Sequence, residues 1–483
     1  MPLVERFALT PDLSISRVLT GLWQVADMER DQNLDTEQAA LALLPYAEAG
    51  FTTFDMADHY GSAELIAGKM PPHLPEQQQI QLFTKWVPKP GVITRKDVED
   101  AVQLALQRLG SERIDLMQYH AWDYAHPGWL DGLFWLQELV EEGLIRHIGL
   151  TNFDAVHLNM VLESGVAVVS NQVSYSMIDQ RAAGELSEVC RRHKVSLLAY
   201  GTVAGGFLSE RWLGLPEPDW DNLQTWSQMK YGRFIREAGG WEPFQRLLQG
   251  LKQVADRRKV SIPNVACRYI LQAPAVAGII IGARPGENNH LADNLRLFQF
   301  ELDEEDYADL AQSREGLSAI PGDCGDEYRR PPFLTASGDL SHHLAELPVP
   351  YQTRELENGN TVALSGTVWE SLAGYCRALR RGKRIFISGT TATHGVRVIG
   401  GKDAVAQTHF IIDKIEGALR SLGAGPEQVV RTRIYVRDIA EWEVVARAHG
   451  RRFADILPVN TLVEARLVGE EYRVEIEAEA ILP

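Results

Sequence analysis

Strand-like and helix-like segments alternate from the start of this chain to about residue 315, and that alternation constrains its fold more than any other feature. Apolar, β-branched runs at Val18–Trp23, Phe51–Asp55, Ile80–Trp86, Leu116–His120, Ile145–Leu150, Val166–Gln172, Val195–Tyr200 and Ala277–Gly282 read as buried strands. Helices are expected between them. In Glu37–Ala49 the residues Ala39, Ala40, Leu43 and Ala47 share a face, and in Arg95–Leu109 so do Val98, Val102, Leu106 and Leu109. Leu133–Glu142 is closed by Gly143, and further helices are read at Ala183–His193, Phe244–Arg257 and Pro263–Gln272. A parallel strand can follow its neighbour only through a crossover, which an interposed helix supplies. Eight such units predict an α/β protein built on a (β/α)8 TIM barrel, with its chemistry at the carboxyl ends of the strands. A doubly wound open sheet would want a GxGxxG turn after an early strand, and the sequence has none.

With 483 residues the chain exceeds what one core ordinarily serves. Its texture changes after residue 317, where Pro321-Gly322, Arg329-Arg330-Pro331-Pro332 and Pro348-Val349-Pro350 read as an extended linker. The expected division is a barrel at 1–318, a linker at 319–350 and a second domain at 351–483. In that domain Thr361–Ser365, Arg384–Ser388, Val429–Val436 and Tyr472–Ala480 read as strands, and Ala404–Leu422 and Ile439–Phe453 as helices, an α+β arrangement. The long connection from 201 to about 240 is rich in Gly and Trp, and reads equally as a functional loop or a packed excursion.

A net charge of −17 argues against a nucleic-acid partner, because phosphate binding needs a basic face. Cys190, Cys267, Cys324 and Cys376 are far apart, which predicts no metal site, no disulfide framework and a reducing compartment. Neither a signal segment nor an apolar run long enough to span a bilayer is found, so a cytoplasmic protein without a membrane partner is expected.

The chemistry is read from strand ends. Asp55 closes the second strand, Tyr60 follows in a short loop, and Gly61-Ser62-Ala63-Glu64 begins a helix. Lys85 lies at the end of the third strand and His120 at the end of the fourth. Placed on consecutive strands, these groups face one mouth and suit carbonyl reduction. Hydride delivered to a carbonyl carbon leaves charge on oxygen that must be protonated. A Lys85 ammonium held by Asp55 would lower the Tyr60 pKa, and His120 would donate a hydrogen bond to the carbonyl.

The stretch from Asp55 through Tyr60-Gly61 to Glu64, with Lys85 and His120, resembles the aldo-keto reductases over nearly all of residues 5–315. The resemblance implies an oxidoreductase that reduces an aldehyde or ketone, or oxidises the alcohol, with Tyr60 as general acid. It implies NADPH, or NADH, as cofactor. Residues matching Thr151, Asn152 and Gln172 hold the carboxamide, one matching Tyr200 stacks on the nicotinamide, and Gly201, Thr202 and Val203 match the segment near the pyrophosphate. Gly282, Arg284, His290, Asp293 and Asn294 fall in the region holding the adenosine and its 2′-phosphate, and Gly21 and Trp23 are counted with the cofactor site. Trp23, His59, Trp86, Trp122 and Trp226 would line an aromatic pocket or simply pack.

The C-terminal region resembles the Rid/YjgF family of enamine/imine deaminase-like, L-PSP proteins, which has a chorismate-mutase-like α+β fold. The likeness rests on Phe386-Ile387-Ser388-Gly389-Thr390, Gln407 and the helix after it, Val429 to Val436, Pro458-Val459-Asn460-Thr461 and Val474 to Ala478. It implies a homotrimer. Deaminating members carry an arginine where this chain has Asn460, so the expected role is trimerisation or ligand binding. The alternatives are a deaminase coupled to carbonyl reduction and a non-catalytic nicotinamide sensor.

Overall fold

The computed structural model describes residues 4–26, 34–284, 290–330, 344 and 346–483. Eight parallel strands close into a barrel: β3 (Val18–Gly21), β4 (Thr53–Asp55), β5 (Gln81–Trp86), β6 (Ile114–His120), β7 (Ile145–Thr151), β8 (Val168–Ser174), β9 (Ser196–Tyr200) and β10 (Val276–Gly282), with β10 pairing β3. These are the expected eight, and the first ends at Gly21 instead of Trp23. Ahead of them a hairpin of β1 (Arg6–Thr10) and β2 (Leu13–Ser16), not foreseen from sequence, packs Leu9, Leu13 and Ile15 against Leu19, Phe83, Leu116, Leu198 and Ala277. It plugs the amino-terminal end of the barrel with apolar side chains and leaves the opposite mouth for polar groups.

Helices wrap the barrel where the periodicity placed them. Arg95–Leu109 starts on a Thr94–Asp97 capping box and stops at Gly110 in the left-handed region. Others were not read from sequence, among them Ala155–Glu163, nearly all buried, Trp226–Glu237 within the long connection after β9, and Glu304–Arg314. Ala155–Glu163 is short and buried nearly all round, so it lacks the amphipathic contrast on which a periodicity argument depends.

Part of the expected extended linker is folded. Asp323–Arg330 crosses the mouth of the barrel, with Asp326–Arg329 helical and Glu327 fully buried. The second domain has a seven-stranded sheet in the order 352–355, 361–364, 378–381, 384–391, 474–481, 429–436, 459–464, covered on one face by helices Ala404–Ser421 and Trp442–Phe453. On its last strand Val474, Ile476, Ala478 and Ala480 point under the helices while Glu475, Glu477 and Glu479 line the open face.

The two domains touch along the helix Ala404–Ser421. Arg420 pairs with Asp123 at 2.6 Å, His394 with Asp131 at 2.8 Å, and His157 with Asp413 at 3.0 Å. A Cβ on Gly417 would stand 2.6 Å from the Ala125 carbonyl, so this helix approaches the barrel more closely than any side chain permits.

Candidate active site

Asp55, Lys85 and His120 end neighbouring barrel strands β4, β5 and β6, and Tyr60 follows β4 in a turn, so all four gather at the carboxyl mouth. Lys85 Nζ donates to Asp55 Oδ2 at 2.7 Å and to the Met56 carbonyl at 2.9 Å, and the pair is buried. Burial pushes the lysine pKa down, and the Asp55 carboxylate opposes that. The ammonium stands 5.1 Å from the Tyr60 ring centroid.

Asp55 has further partners that the sequence did not reveal. Its Oδ1 accepts from Gln118 Nε2 at 3.0 Å and from Gln172 Nε2 at 2.7 Å, and Gln172 Nε2 also reaches Gln118 Oε1 at 2.8 Å. Gln118 lies two residues before His120, so strand alternation alone puts both on the inner face. Glu64 is buried too: it accepts from Thr84 Oγ1 at 2.5 Å and from Arg108 at 3.0 Å, and the same Arg108 nitrogen holds the Asp58 carbonyl at 3.1 Å. The loop carrying Tyr60 is thereby tied to the helix Arg95–Leu109.

Two electrostatic expectations change. Burial, then the Asp55 carboxylate, push the Tyr60 pKa well above that of a free phenol; Lys85 does not reverse this. Tyr60 is a neutral phenol at neutral pH. His120 is held neutral, with its pKa down to about 3, by burial and then by the Arg329 guanidinium. Its Nδ1 lies 3.2 Å from the Thr151 carbonyl, which can only accept, so Nδ1 carries the proton. The other nitrogen, Nε2, is an acceptor in that tautomer, not the donor expected toward a carbonyl. It is buried without a protein partner.

The aromatic residues divide. Trp23 meets Tyr60 edge-on at 4.7 Å and Trp226 at 5.9 Å, His59 lies 4.9 Å from Tyr60, and Trp122 lies 4.4 Å from His120. Trp86, next to inward-facing Lys85, points to the other side of its strand and packs on Tyr119 at 5.5 Å, in the core and away from the pocket.

Tyr200 ends β9, and its hydroxyl donates to Asn152 Oδ1 at 2.7 Å. Thr151 Oγ1 reaches the Gln172 carbonyl at 3.3 Å. After β9 the chain turns through Gly201 at φ +73, where a Cβ would sit 2.1 Å from the Tyr231 hydroxyl, so only glycine fits. Thr202 is buried against Cys267, and Val203 leads into a single helical turn. Gly282 ends β10, Gly21 pairs with it across the barrel seam, and Arg284 follows half-buried. His290, Asp293 and Asn294 open a short helix in which the Asp293 carboxylate accepts from Ser261 Oγ at 2.8 Å and Asn264 Nδ2 at 3.2 Å. Among the described residues no cluster of His, Cys, Asp and Glu is arranged to hold a metal ion.

The mouth also holds residues outside every motif. Lys230 Nζ donates to Tyr328 Oη at 2.6 Å, and the Tyr328 ring stands 5.8 Å from His120. No sequence signal joins Lys230, on an unforeseen helix, to Tyr328, in an expected linker.

In the second domain Asn460 Nδ2 donates to Thr432 Oγ1 at 2.9 Å, and that hydroxyl also lies 2.9 Å from His449 Nε2. The amide is thus engaged with the neighbouring strand. Arg466 is exposed.

The model of the aldo/keto reductase family matches residues 17–315, and that of endoribonuclease L-PSP matches residues 366–482. The NADH-specific methylglyoxal reductase of Escherichia coli (strain K12) is 25% identical over 338 residues, covering 64% of this chain and 97% of that protein. The glycerol dehydrogenase of Gluconobacter oxydans shares the barrel fold, with a TM-score of 0.55 at 21% identity, over 65% of this chain and 95% of that one. A member of the highly conserved YjgF/YER057c/UK114 family from Mycobacterium tuberculosis is 41% identical over 26% of this chain and 99% of its own, with a TM-score of 0.24.

Proposed function

Because this chain belongs to the aldo/keto reductase family, we propose that it interconverts a small carbonyl compound and its alcohol by hydride transfer from a nicotinamide cofactor, with Tyr60 as the proton donor. The observation that carries the proposal is the buried Lys85–Asp55 pair against the ring of a neutral Tyr60.

The residues present fit such a cofactor. The Ser174 hydroxyl at the end of β8 and His120 Nε2 at the end of β6 are buried polar atoms without protein partners, and both belong to the mouth. Thr151, Asn152, Gln172 and Tyr200 would hold and stack the nicotinamide, although the Gln172 amide hydrogens are already shared with Asp55 and Gln118. Gly201, Thr202 and Val203 would pass the pyrophosphate, and Gly282, Arg284, His290, Asp293 and Asn294 the adenosine. Arg284 favours NADPH by charge, whereas the methylglyoxal reductase it resembles is NADH-specific. When bound, the cofactor supplies the hydride.

The protein's own groups manage the proton. As charge develops on the substrate oxygen, the Tyr60 hydroxyl gives up its hydrogen, because an alkoxide is the stronger base. The phenolate left behind faces the Lys85 ammonium, which Asp55 holds in place; the phenolate then recovers a proton from solvent. His120 Nε2, as an acceptor, takes a hydrogen bond from the alcohol hydroxyl, so it orients the substrate in its alcohol form.

For the second domain we propose self-association into a trimer. The open face of its sheet carries Phe386, Arg433 and Tyr435 among the three glutamates of the last strand. Light scattering of the purified chain tests this, and a monomer at micromolar concentration would refute it. The enzymatic proposal is tested with NADPH and NADH against a panel of aldehydes and ketones. Tyr60→Phe should lower turnover by about two to four orders of magnitude while cofactor still binds, the usual effect of losing a general acid. Unchanged turnover, or loss of cofactor binding with it, would refute the role given to Tyr60.

A further inference from the structure

Residues 316–365 lie outside both family matches, and Asp323–Arg330 within them is bound tightly to the barrel mouth. Tyr328 stands edge-on to His120 at 5.8 Å and to Trp122 at 6.4 Å, and its hydroxyl lies 3.4 Å from that of Tyr200. Glu327 accepts from Arg181 at 3.0 Å, both buried. Arg329 donates to the carbonyls of Asn152 and Cys324, each at 2.8 Å, and of Ala121 at 3.3 Å, spanning the ends of β6 and β7. Beneath this strap, His120 Nε2 has neither a protein partner nor access to solvent. A substrate oxygen therefore cannot reach that nitrogen while Tyr328 and Trp122 remain where they are.

The strap has both a reason to stay and room to leave. Its outer end is held by the second domain: Arg451 Nη2 pairs with Asp323 Oδ1 at 2.9 Å, while Nη1 of the same guanidinium pairs with Glu185 of the barrel at 2.6 Å. Behind it, between the domains, lies a cavity of about 160 Å³ lined by Asp323, Asp326, Arg329, Arg330, His157 and Arg452. Gly322, just ahead of the segment, and Gly325, within its first turn, lie at φ +79 and +88, conformations that favour glycine.

We propose that Asp323–Arg330 is a gate over His120, and that the second domain holds it shut through Arg451, so that the C-terminal domain governs access to the reductase site. The inference rests on the reading of His120 as a substrate-contacting group. In this arrangement anything that draws Arg451 away from Asp323 removes one anchor of the strap and makes opening of the mouth more frequent, although Arg451 belongs to the other domain.

Chemical labelling of His120 tests the gate without requiring turnover. Diethyl pyrocarbonate acylates neutral, accessible imidazole, and peptide mass mapping of the full chain gives the rate at His120 alone. The wild-type rate should be slow. Tyr328→Ala should raise it by about tenfold or more, as expected when a local opening is made easier, and Arg451→Ala should raise it measurably at an unchanged melting temperature. Arg451→Lys, which keeps the charge facing Asp323 and Glu185, should retain more protection than Arg451→Ala. Unchanged labelling in Arg451→Ala would overturn control by the second domain, and unchanged labelling in Tyr328→Ala would overturn the gate itself. If labelling responds as stated but no carbonyl is reduced by the wild type, the gate stands and the reductase reading falls. If Tyr60-dependent turnover is found with unresponsive labelling, the reverse holds.

Discussion

At the scale of single residues, the Asp55–Lys85 pair is costly to build and costlier to break. Both groups are withdrawn from water, and removing one leaves the other charged and unpaired. Lys85→Met should therefore destabilise the protein by about 3–5 kcal/mol, measurable in a urea titration, and adding Asp55→Asn should recover part of the loss. His120 makes a prediction about pH. An ordinary imidazole titrates near 6.5, whereas this one is held neutral down to about 3 by burial and Arg329. The profile of kcat/KM for reduction should show no ionisation of His120 between pH 5 and 8; an acid limb near 6.5 that disappears in His120→Gln would contradict the assigned state.

Among elements, the contact between helices Ala155–Glu163 and Ala404–Ser421 is organised by His157. The imidazole lies between the carboxylates of Asp154 at 2.8 Å and Asp413 at 3.0 Å and stacks on Tyr124. Burial alone would depress its pKa, but the two carboxylates outweigh that and raise it to about 9. The folded value lies above the unfolded one, so the stabilisation is fully present below pH 6.5 and is lost as pH rises toward 9. The shift corresponds to stabilisation on the order of 3 kcal/mol. Melting temperature should fall over that window in the wild type, and His157→Gln should be less stable at pH 6 with a flatter profile.

For the whole molecule, the question is whether barrel and C-terminal domain unfold together. At Gly417 the helix Ala404–Ser421 comes close to the barrel backbone. Gly417→Leu should push the helix off the Ala125 carbonyl while leaving each core intact. Calorimetry should show one transition for the wild type and two for the variant. A single transition in the variant, at the wild-type temperature, would mean that the close approach contributes nothing to docking.

The barrel was legible because eight buried parallel strands each need an apolar run followed by a crossover, and both are local patterns. The placement of Asp55, Lys85 and His120 at strand ends followed from the same periodicity. Features that depend on distant contacts were not legible. The hairpin Arg6–Ser16 is too short and too polar outside to differ from a loop until the barrel floor receives Leu13 and Ile15. The proton on His120 depends on one carbonyl, Thr151, thirty-one residues away. The strap Asp323–Arg330 reads as linker because Pro-Gly and Pro-Pro pairs flank it, and its burial comes from partners at Arg181, Lys230 and Asn152 that no spacing joins. Sequence by itself determined the layers, the order of the strands and the chemical types gathered at the mouth, since these follow from local periodicity. Tertiary structure alone decided which nitrogen of His120 faces a substrate, which face of the barrel the C-terminal domain occupies and what covers the mouth, since each depends on contacts between residues distant in the chain.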